Sequence, residues 1–171
     1  KLIEPVEGEL ASGLKGVGRL EEPENIFNIL KKEFSEGDDL IGKQVLVTAG
    51  PTFEPIDPVR FIGNQSSGKM GIEIARSFSK RGATVYLVLG PSSIKVEDQN
   101  IELISVITAD EMYDQCIALF PTMDIAVLSA AVADFKPLNP SLKKLKKDKT
   151  FKKIDLEPTR DILAELGKQK K

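Results

Sequence analysis

Residues 42–71 read GKQVLVTAGPTFEPIDPVRFIGNQSSGKMG, and they decide the fold. The segment opens on QVLVTAG (44–50), a short apolar run ending in small residues. Apolar residues at successive positions predict a strand covered on both faces, as in a parallel sheet. The segment closes by entering KMGIEIARSFSKRG (69–82), where Met70, Ile74, Ala75 and Phe78 fall on one helical face and Gly82 supplies a stop. Between strand and helix lies the excursion FEPIDPVRFI (53–62), with two prolines and several charges.

The pattern repeats downstream. ATVYLVLG (83–90) and IELISVI (101–107) predict a second and a third strand. ADEMYDQCIALF (109–120) predicts a helix with Met112, Cys116 and Leu119 on one face, and Asp110 and Glu111 suit its first turn. DIAVLSAAVAD (124–134) contains a fourth strand. The order β-α-β-β-α-β places the chain in the α/β class, with a Rossmann-like open, mainly parallel sheet and helices on both faces. Ligands of such sheets bind beyond the carboxyl ends of the strands. FKPLNPSLKKLKKDK (135–149) reads as a mobile loop, FKKIDLE (151–157) as a strand, and TRDILAELG (159–167) as a short helix capped by Thr159. Residues 1–40 are glycine-rich with little periodicity and read as a linker plus one helix over PENIFNILKKEF (23–34).

Composition excludes several classes of function. The 171 residues are 41% hydrophobic and 29% charged, as in a globular domain, and the net charge of −2 provides no basic field for nucleic acid. No stretch reaches the ~18–20 apolar residues of a membrane span. A single cysteine rules out an internal disulfide, so a cytoplasmic location is expected. The absence of histidine removes the commonest general base, the Ser-His-Asp triad and histidine-ligated zinc. The chemistry must then use Lys, Asp, Glu, Asn, Ser, backbone amides and a hard cation such as Mg²⁺.

From Gly63 the spacing Gly, four residues, Gly68, Lys69 imitates a P-loop, but Met70 stands where a Mg²⁺-binding hydroxyl is required. The run ending at Asp134 imitates the acidic partner motif and keeps a P-loop as a lesser alternative. A dinucleotide fingerprint is missing too: TAGPT (48–52) follows the first strand, and LGPSS (89–93) ends the second without an acid for a ribose. Ser66, Ser67 and Gly68 would instead open the helix, where unpaired amides and the helix dipole, together with the Gly50 turn and the charge of Lys69, form an anion cradle. The alternative is an ordinary helix start after a loop.

Residues 42–71, AAVADFKP (130–137), KLKK (144–147) and DILAELG (161–167), in that order, resemble the phosphopantothenoylcysteine synthetase domain of bacterial bifunctional coenzyme A biosynthesis proteins. Residues 4–26 resemble the tail of the partner decarboxylase and its linker. The resemblance implies a linker and decarboxylase tail over 1–40 and a ligase domain over 41–171 that is C-terminally incomplete, since the family pattern continues past the position of Lys171. It implies a CTP-dependent ligase that couples 4′-phosphopantothenate to L-cysteine through an acyl-cytidylate, with Mg²⁺ or Mn²⁺. FMN belongs only to the decarboxylase domain. A homodimer is implied, and a higher oligomer with that domain.

The same resemblance assigns residues. Asn64 would stabilise the intermediate; otherwise it is a turn asparagine. Asp134 would lie near the CTP ribose, phosphates or metal; otherwise it caps a loop. Lys144 would bind CTP from a flexible flap and act in catalysis; otherwise it is a solvated lysine. Leu128, Ser129 and Ala130, with Arg160, Asp161, Ile162 and Leu163, would contact the nucleotide through backbone groups. Ser12 stands where the family's decarboxylase tail carries a proton-donating cysteine, so no decarboxylation is expected of this chain. Two other functions compete with the ligase: a nucleotide-binding or assembly module without turnover, and, less favoured, a Rossmann oxidoreductase using NAD(P).

Overall fold

The computed structural model describes residues 2–9, 13–34, 37–146 and 153–169. The chain forms two compact units, Lys1–Gly37 and Asp38–Lys171. In the first, β1 (Val6–Glu9) and β2 (Lys15–Arg19) pair antiparallel, and α1 spans Pro23–Phe34. The helix is the one expected; the two strands are not. VEGE and KGVGR lack a run of alternating apolar residues, and no described residue of this unit is buried, so backbone pairing rather than side-chain burial defines the ribbon. Ser12 lies outside the described residues.

The second unit contains β3 (Gln44–Ala49), β4 (Phe53–Pro55), β5 (Phe61–Gly63), α2 (Lys69–Lys80), β6 (Thr84–Leu89), β7 (Ile101–Ser105), α3 (Ala109–Leu119), β8 (Ile125–Leu128), β9 (Phe135–Pro137), β10 (Leu156–Pro158) and α4 (Ile162–Gln169). The central sheet is parallel, in the order β7-β6-β3-β8. This is the α/β architecture expected, with helices on both faces. Val45, Val47 and Ala49 of β3 pack with Val85 and Leu87 of β6 against Ile72 and Ala75 of α2. Leu46 and Val88 point the other way, onto Met112 and Cys116 of α3 and Ile162 and Leu166 of α4. The strand's two-residue alternation thus supplies two cores, one per face. Burial pushes the Cys116 thiol up to about 12.

Helix α3 begins on a capping box: Thr108 Oγ1 accepts from the Glu111 N–H, and the Glu111 carboxylate accepts from the Thr108 N–H. Glu54 of β4, almost fully buried, accepts from the Ala109 N–H at 2.8 Å and ties the excursion hairpin to the same helix end.

Three expectations are corrected. Met70 is 66% exposed, and the buried stripe of α2 is Gly71, Ile72, Ala75 and Ser79. Gly71 sets this rotation, because a Cβ there would lie 2.5 Å from both Ala49 Cβ and Ser129 Oγ. Helix α4 starts at Ile162, and its cap is Asp161, whose carboxylate accepts from the Ala164 N–H at 2.8 Å; Thr159 instead donates its hydroxyl to Ala133 O at 2.7 Å. The lysine-rich loop is not loose from its first residue. Phe135–Pro137 pairs with Leu156–Pro158, and the Ser141 N–H donates to Ile56 O. Residues 147–152 lie outside the described residues.

Close packing without side chains joins β3 to its surroundings. Gly50, at φ +78°, faces Gly90, where an added Cβ would lie 3.0 Å from Gly90 O. Gly68, at φ +76°, brings the start of α2 against Gly50, where a Cβ would lie 3.2 Å from Gly50 Cα. A Cβ on Gly90 would lie 1.7 Å from Pro51 O. Gly90→Ala is therefore expected to lower the urea unfolding free energy by about 2–3 kcal/mol, because the backbone at Pro51 must move. An unchanged unfolding midpoint would show that this junction is not tightly packed.

Candidate functional site

The strand order locates the site. From β3 the chain moves outward on one side to β6 and β7, then returns to the other side of β3 as β8. The connections diverge between β3 and β8, and that switch point opens a crevice at the carboxyl ends of the two strands. A cleft of about 400 Å³ lies there, lined by Thr48 of β3, by Leu128, Ala130, Val132 and Asp134 from β8 onward, and by Thr159, Arg160, Asp161, Ile162 and Leu163 leading into α4.

The wall that follows β8 is stapled to the continuation of β3. Thr48 O accepts from the Ser129 N–H at 3.2 Å and from the Ser129 hydroxyl at 2.6 Å. Thr48 Oγ1 accepts from the Ala130 N–H at 3.3 Å, Gly50 O from the Ala131 N–H at 2.8 Å, and the buried Thr52 hydroxyl from the Ala133 N–H at 2.9 Å. Asn64, just past β5, donates its amide to Ala131 O at 3.3 Å and Val132 O at 2.9 Å. Asn64 therefore braces the wall, with its amide oxygen still available as an acceptor.

The expected residues fall into three groups. Leu128, Ala130, Asp134, Arg160, Asp161, Ile162 and Leu163 share the cleft. Asp134 is exposed there. Ser129 points to the α2 side, where its Oγ would meet a Cβ placed on Gly71. Gly50, Ser66, Ser67, Gly68 and Lys69 cluster at the start of α2, on the opposite face of the sheet from α3 and α4. No side chain caps this helix; Ser66 and Ser67 accept weakly from the Gly68 and Lys69 N–H groups at 3.3 and 3.4 Å. Apart from these, the first-turn N–H groups have no side-chain cap, which leaves them open to an anion. Lys144 belongs to neither group. It is exposed in the segment that docks on the turn between β4 and β5. Among the described residues, no cluster of three or more His, Cys, Asp or Glu is placed to hold a metal.

Arg160 is a lining residue whose charge is committed elsewhere. Its guanidinium donates to the Asp110 carboxylate at 2.8 Å, pairs with Asp114 at 2.8 Å and stacks 3.9 Å above the Tyr113 ring. Lys136 of β9 meets the second oxygen of Asp110 at 2.5 Å. The Lys136 ammonium, and then Arg160, hold the Asp110 carboxyl below its usual range. This network fixes the cleft's far wall to α3. Thr48, Val132 and Thr159 also line the cleft without having been singled out from sequence. Thr48 carried a signal, as the one hydroxyl on the face of β3 that otherwise holds Leu46.

A larger groove of about 1090 Å³ follows the outer edge of β8, among Phe120, Met123, Ile125 and Leu166. Its carboxylate, Asp124, is already bonded to the Gln44 N–H and Lys43, so the residues lining this groove present no uncommitted charged side chain.

Residues 40–171 match the family described as the DNA/pantothenate metabolism flavoprotein C-terminal domain. The chain belongs to this family. It is 51% identical over 175 residues to a cysteine/cysteine sulfinic acid decarboxylase from an unknown prokaryotic organism, covering 99% of this chain and 48% of that protein. It is 46% identical to the coenzyme A biosynthesis bifunctional protein CoaBC of Bacillus subtilis, covering 99% of this chain and 42% of that one. The chain thus spans less than half the length of these curated relatives. The crystal structure of the C-terminal domain of a CoaBC protein superposes with a TM-score of 0.67 at 39% identity, covering 79% of this chain and 63% of the other. A Cab2 mutant in complex with phosphopantothenate-cysteine shares the fold at 20% identity and a TM-score of 0.58, covering 85% of this chain and 67% of that one.

Within this flavoprotein C-terminal domain the Asp110 network gives a pH-dependent prediction. The folded-state pKa of Asp110 lies below the unfolded value of about 3.9, so its stabilisation is full above that value and is lost as pH falls through the folded pKa. Asp110→Asn should cost about 1 kcal/mol near neutral pH, allowing for solvent screening. The gap from the parent should narrow in urea titrations as pH falls below the unfolded-state value. A gap independent of pH would mean that the Asp110 charge contributes nothing.

Proposed function

We propose that this chain carries the ligase activity of a coenzyme A biosynthesis protein, joining 4′-phosphopantothenate to L-cysteine at the expense of CTP. One observation supports this most: the residues that the resemblance assigns to the nucleotide, Leu128, Ala130, Asp134 and Arg160–Leu163, converge on one cleft at the sheet's switch point. Family membership and the relatives named as coenzyme A biosynthesis proteins support the same pathway.

The reaction has two displacements. A carboxylate oxygen of phosphopantothenate attacks the α-phosphorus of CTP, and pyrophosphate leaves. The cysteine nitrogen then attacks the acyl carbon, CMP leaves, and the nitrogen gives up a proton. Both transition states gather negative charge on oxygen, which fixed N–H groups and cations stabilise. The chain offers the first-turn amides of α2 with Lys69, and Lys144. Cleft backbone groups held by Thr48, Thr52 and Asn64 would meet the cytosine and ribose.

Asp134 fits a Mg²⁺ or Mn²⁺ that arrives with the nucleotide, since such ions are commonly held by one or two carboxylates plus phosphate oxygens and water. The cation would supply charge neutralisation at the phosphates; Asp134 would orient it from the cleft rim. FMN is assigned to a different domain, and no described residue is given to it. Homodimerisation and a cytoplasmic site of action belong to the same proposal. Among the described residues no helix is long and apolar enough to cross a membrane.

A nucleotide-binding or assembly module without turnover is the second reading, since a cleft that holds a nucleotide need not turn it over. Calorimetry with CTP, ATP and NADPH should show preference for CTP. Pyrophosphate release on adding phosphopantothenate separates ligase from binding module, and NADPH binding instead would defeat both. Lys144→Gln should raise the CTP Kd about tenfold, or ~1.4 kcal/mol, without lowering Tm; a large Tm drop would make Lys144 structural. Asn64→Asp should slow the second displacement more than the first, so that quenched reactions accumulate acyl-cytidylate. Equal loss of both steps would count against a role for Asn64 at the intermediate.

A further inference from the structure

The hairpin of β4 and β5 carries a carboxylate that the chemistry above does not use. Asp57 is 3% exposed, at the turn between the two strands. It accepts from the Val59 and Arg60 N–H groups, both at 2.9 Å, which closes the turn locally. Its other oxygen takes the Arg60 guanidinium, through Nε at 3.0 Å and a second contact through Nη2. That same oxygen accepts from the Leu145 N–H at 3.1 Å, 88 residues away in sequence. Arg60 Nη2 completes the link by donating to Leu145 O at 2.9 Å. Both backbone polar groups of Leu145 are thus held by one Asp–Arg pair. Ser141 adds a bond on each side: its N–H donates to Ile56 O at 2.9 Å, and its hydroxyl donates to Lys143 O at 2.7 Å.

A surface turn needs none of this. The two local amides on one oxygen and the Arg60 guanidinium on the other already satisfy a turn carboxylate, and the lysines around the contact, Lys143, Lys144 and Lys146, are exposed. The arrangement spends a buried charge on holding a backbone from elsewhere in the chain. Leu145 is the residue after Lys144, so what is held is the base of that lysine. The Lys144 side chain stays exposed. The Arg60 guanidinium keeps the Asp57 carboxyl well below the usual carboxylate range, so the link is charged throughout the physiological range.

We propose that Asp57 is a positioning residue. With Arg60 it latches residues 143–146 onto the β4–β5 turn and thereby sets where Lys144 meets the phosphates of a nucleoside triphosphate. The ligand half of this inference rests on the CTP-dependent function proposed above; the latch does not.

The test uses the full chain, Mg²⁺ with CTP as the probe, and two readouts. Hydrogen exchange of residues 141–146 in Asp57→Asn should accelerate at least tenfold, while residues 44–49 of β3 keep their protection. CTP affinity should fall about tenfold in the same variant. Leu145→Pro, which removes the donated N–H from a loop without touching the core, should give the same loss of affinity at unchanged Tm. Combining Asp57→Asn with Lys144→Gln should be no worse for CTP than Lys144→Gln alone, because the carboxylate acts through the lysine; a merely structural role would make the two losses add. Unchanged exchange at 141–146 overturns the latch. Accelerated exchange with unchanged CTP affinity, or additive losses, overturns the positioning role. If the parent chain binds no CTP at all, the functional reading and the ligand half fall together, while the exchange data still decide the latch.

Discussion

The close approach of Gly50, Gly68 and Gly90 is the contact on which the rest depends. It allows the end of β3, the end of β6 and the start of α2 to meet backbone to backbone, at distances where a Cβ on Gly90 does not fit and one on Gly50 or Gly68 would crowd its neighbours. From that contact follows where α2 begins, and the approach of Gly71 to Ala49 and Ser129 then sets the rotation that buries Gly71 and Ile72. The route of β3 into Pro51 and Thr52, which hold the segment after β8, follows as well. The cleft wall is thus an extension of the same junction: Gly50 supports Gly68 on one side, and its carbonyl anchors Ala131 on the other.

A functional division of labour results. The face bearing α2 offers amides and a lysine, suited to anions. The face bearing α3 and α4 offers a cleft with backbone groups, two exposed carboxylates (Asp134 and the capping Asp161) and apolar walls. The sheet edge between them is bridged by Asn64 and the threonines. Charged side chains that look available in the linear sequence are partly committed: Arg160 is engaged by two aspartates and an aromatic ring, which leaves the cleft to be read by backbone rather than by its guanidinium.

Sequence periodicity disclosed β3, β6, α3 and the parallel sheet because these elements bury side chains on a repeating pattern. It failed where backbone contacts rule. Met70 lay on the apparent apolar stripe, but the Gly71 contact turned the helix and left it in solvent. The ribbons β1–β2 and β4–β5 and the strand β9 are short, and their pairing leaves no alternation to detect, while the strand expected over 151–157 is confined among the described residues to Leu156–Pro158. Thr159 and Asp161 are both good caps by residue type; the choice of Asp161 came from Ala133 claiming the threonine hydroxyl. The cleft residues were legible through family resemblance, whereas the turn at Asp57, flanked by prolines and charges, resembled any solvated loop. Its partner lies too far along the chain for a local pattern to show.

Cys116 has a practical consequence. It is the chain's only thiol, it lies on the buried face of α3, and its pKa is displaced to about 12. Buried as the neutral thiol, Cys116 offers reagents neither access nor a thiolate while the helix is seated. Alkylation then proceeds only in the moments when α3 lifts from the sheet. The protein carries a built-in clock for the opening of the layer that supports its switch-point cleft, readable by mass alone and without any label being introduced.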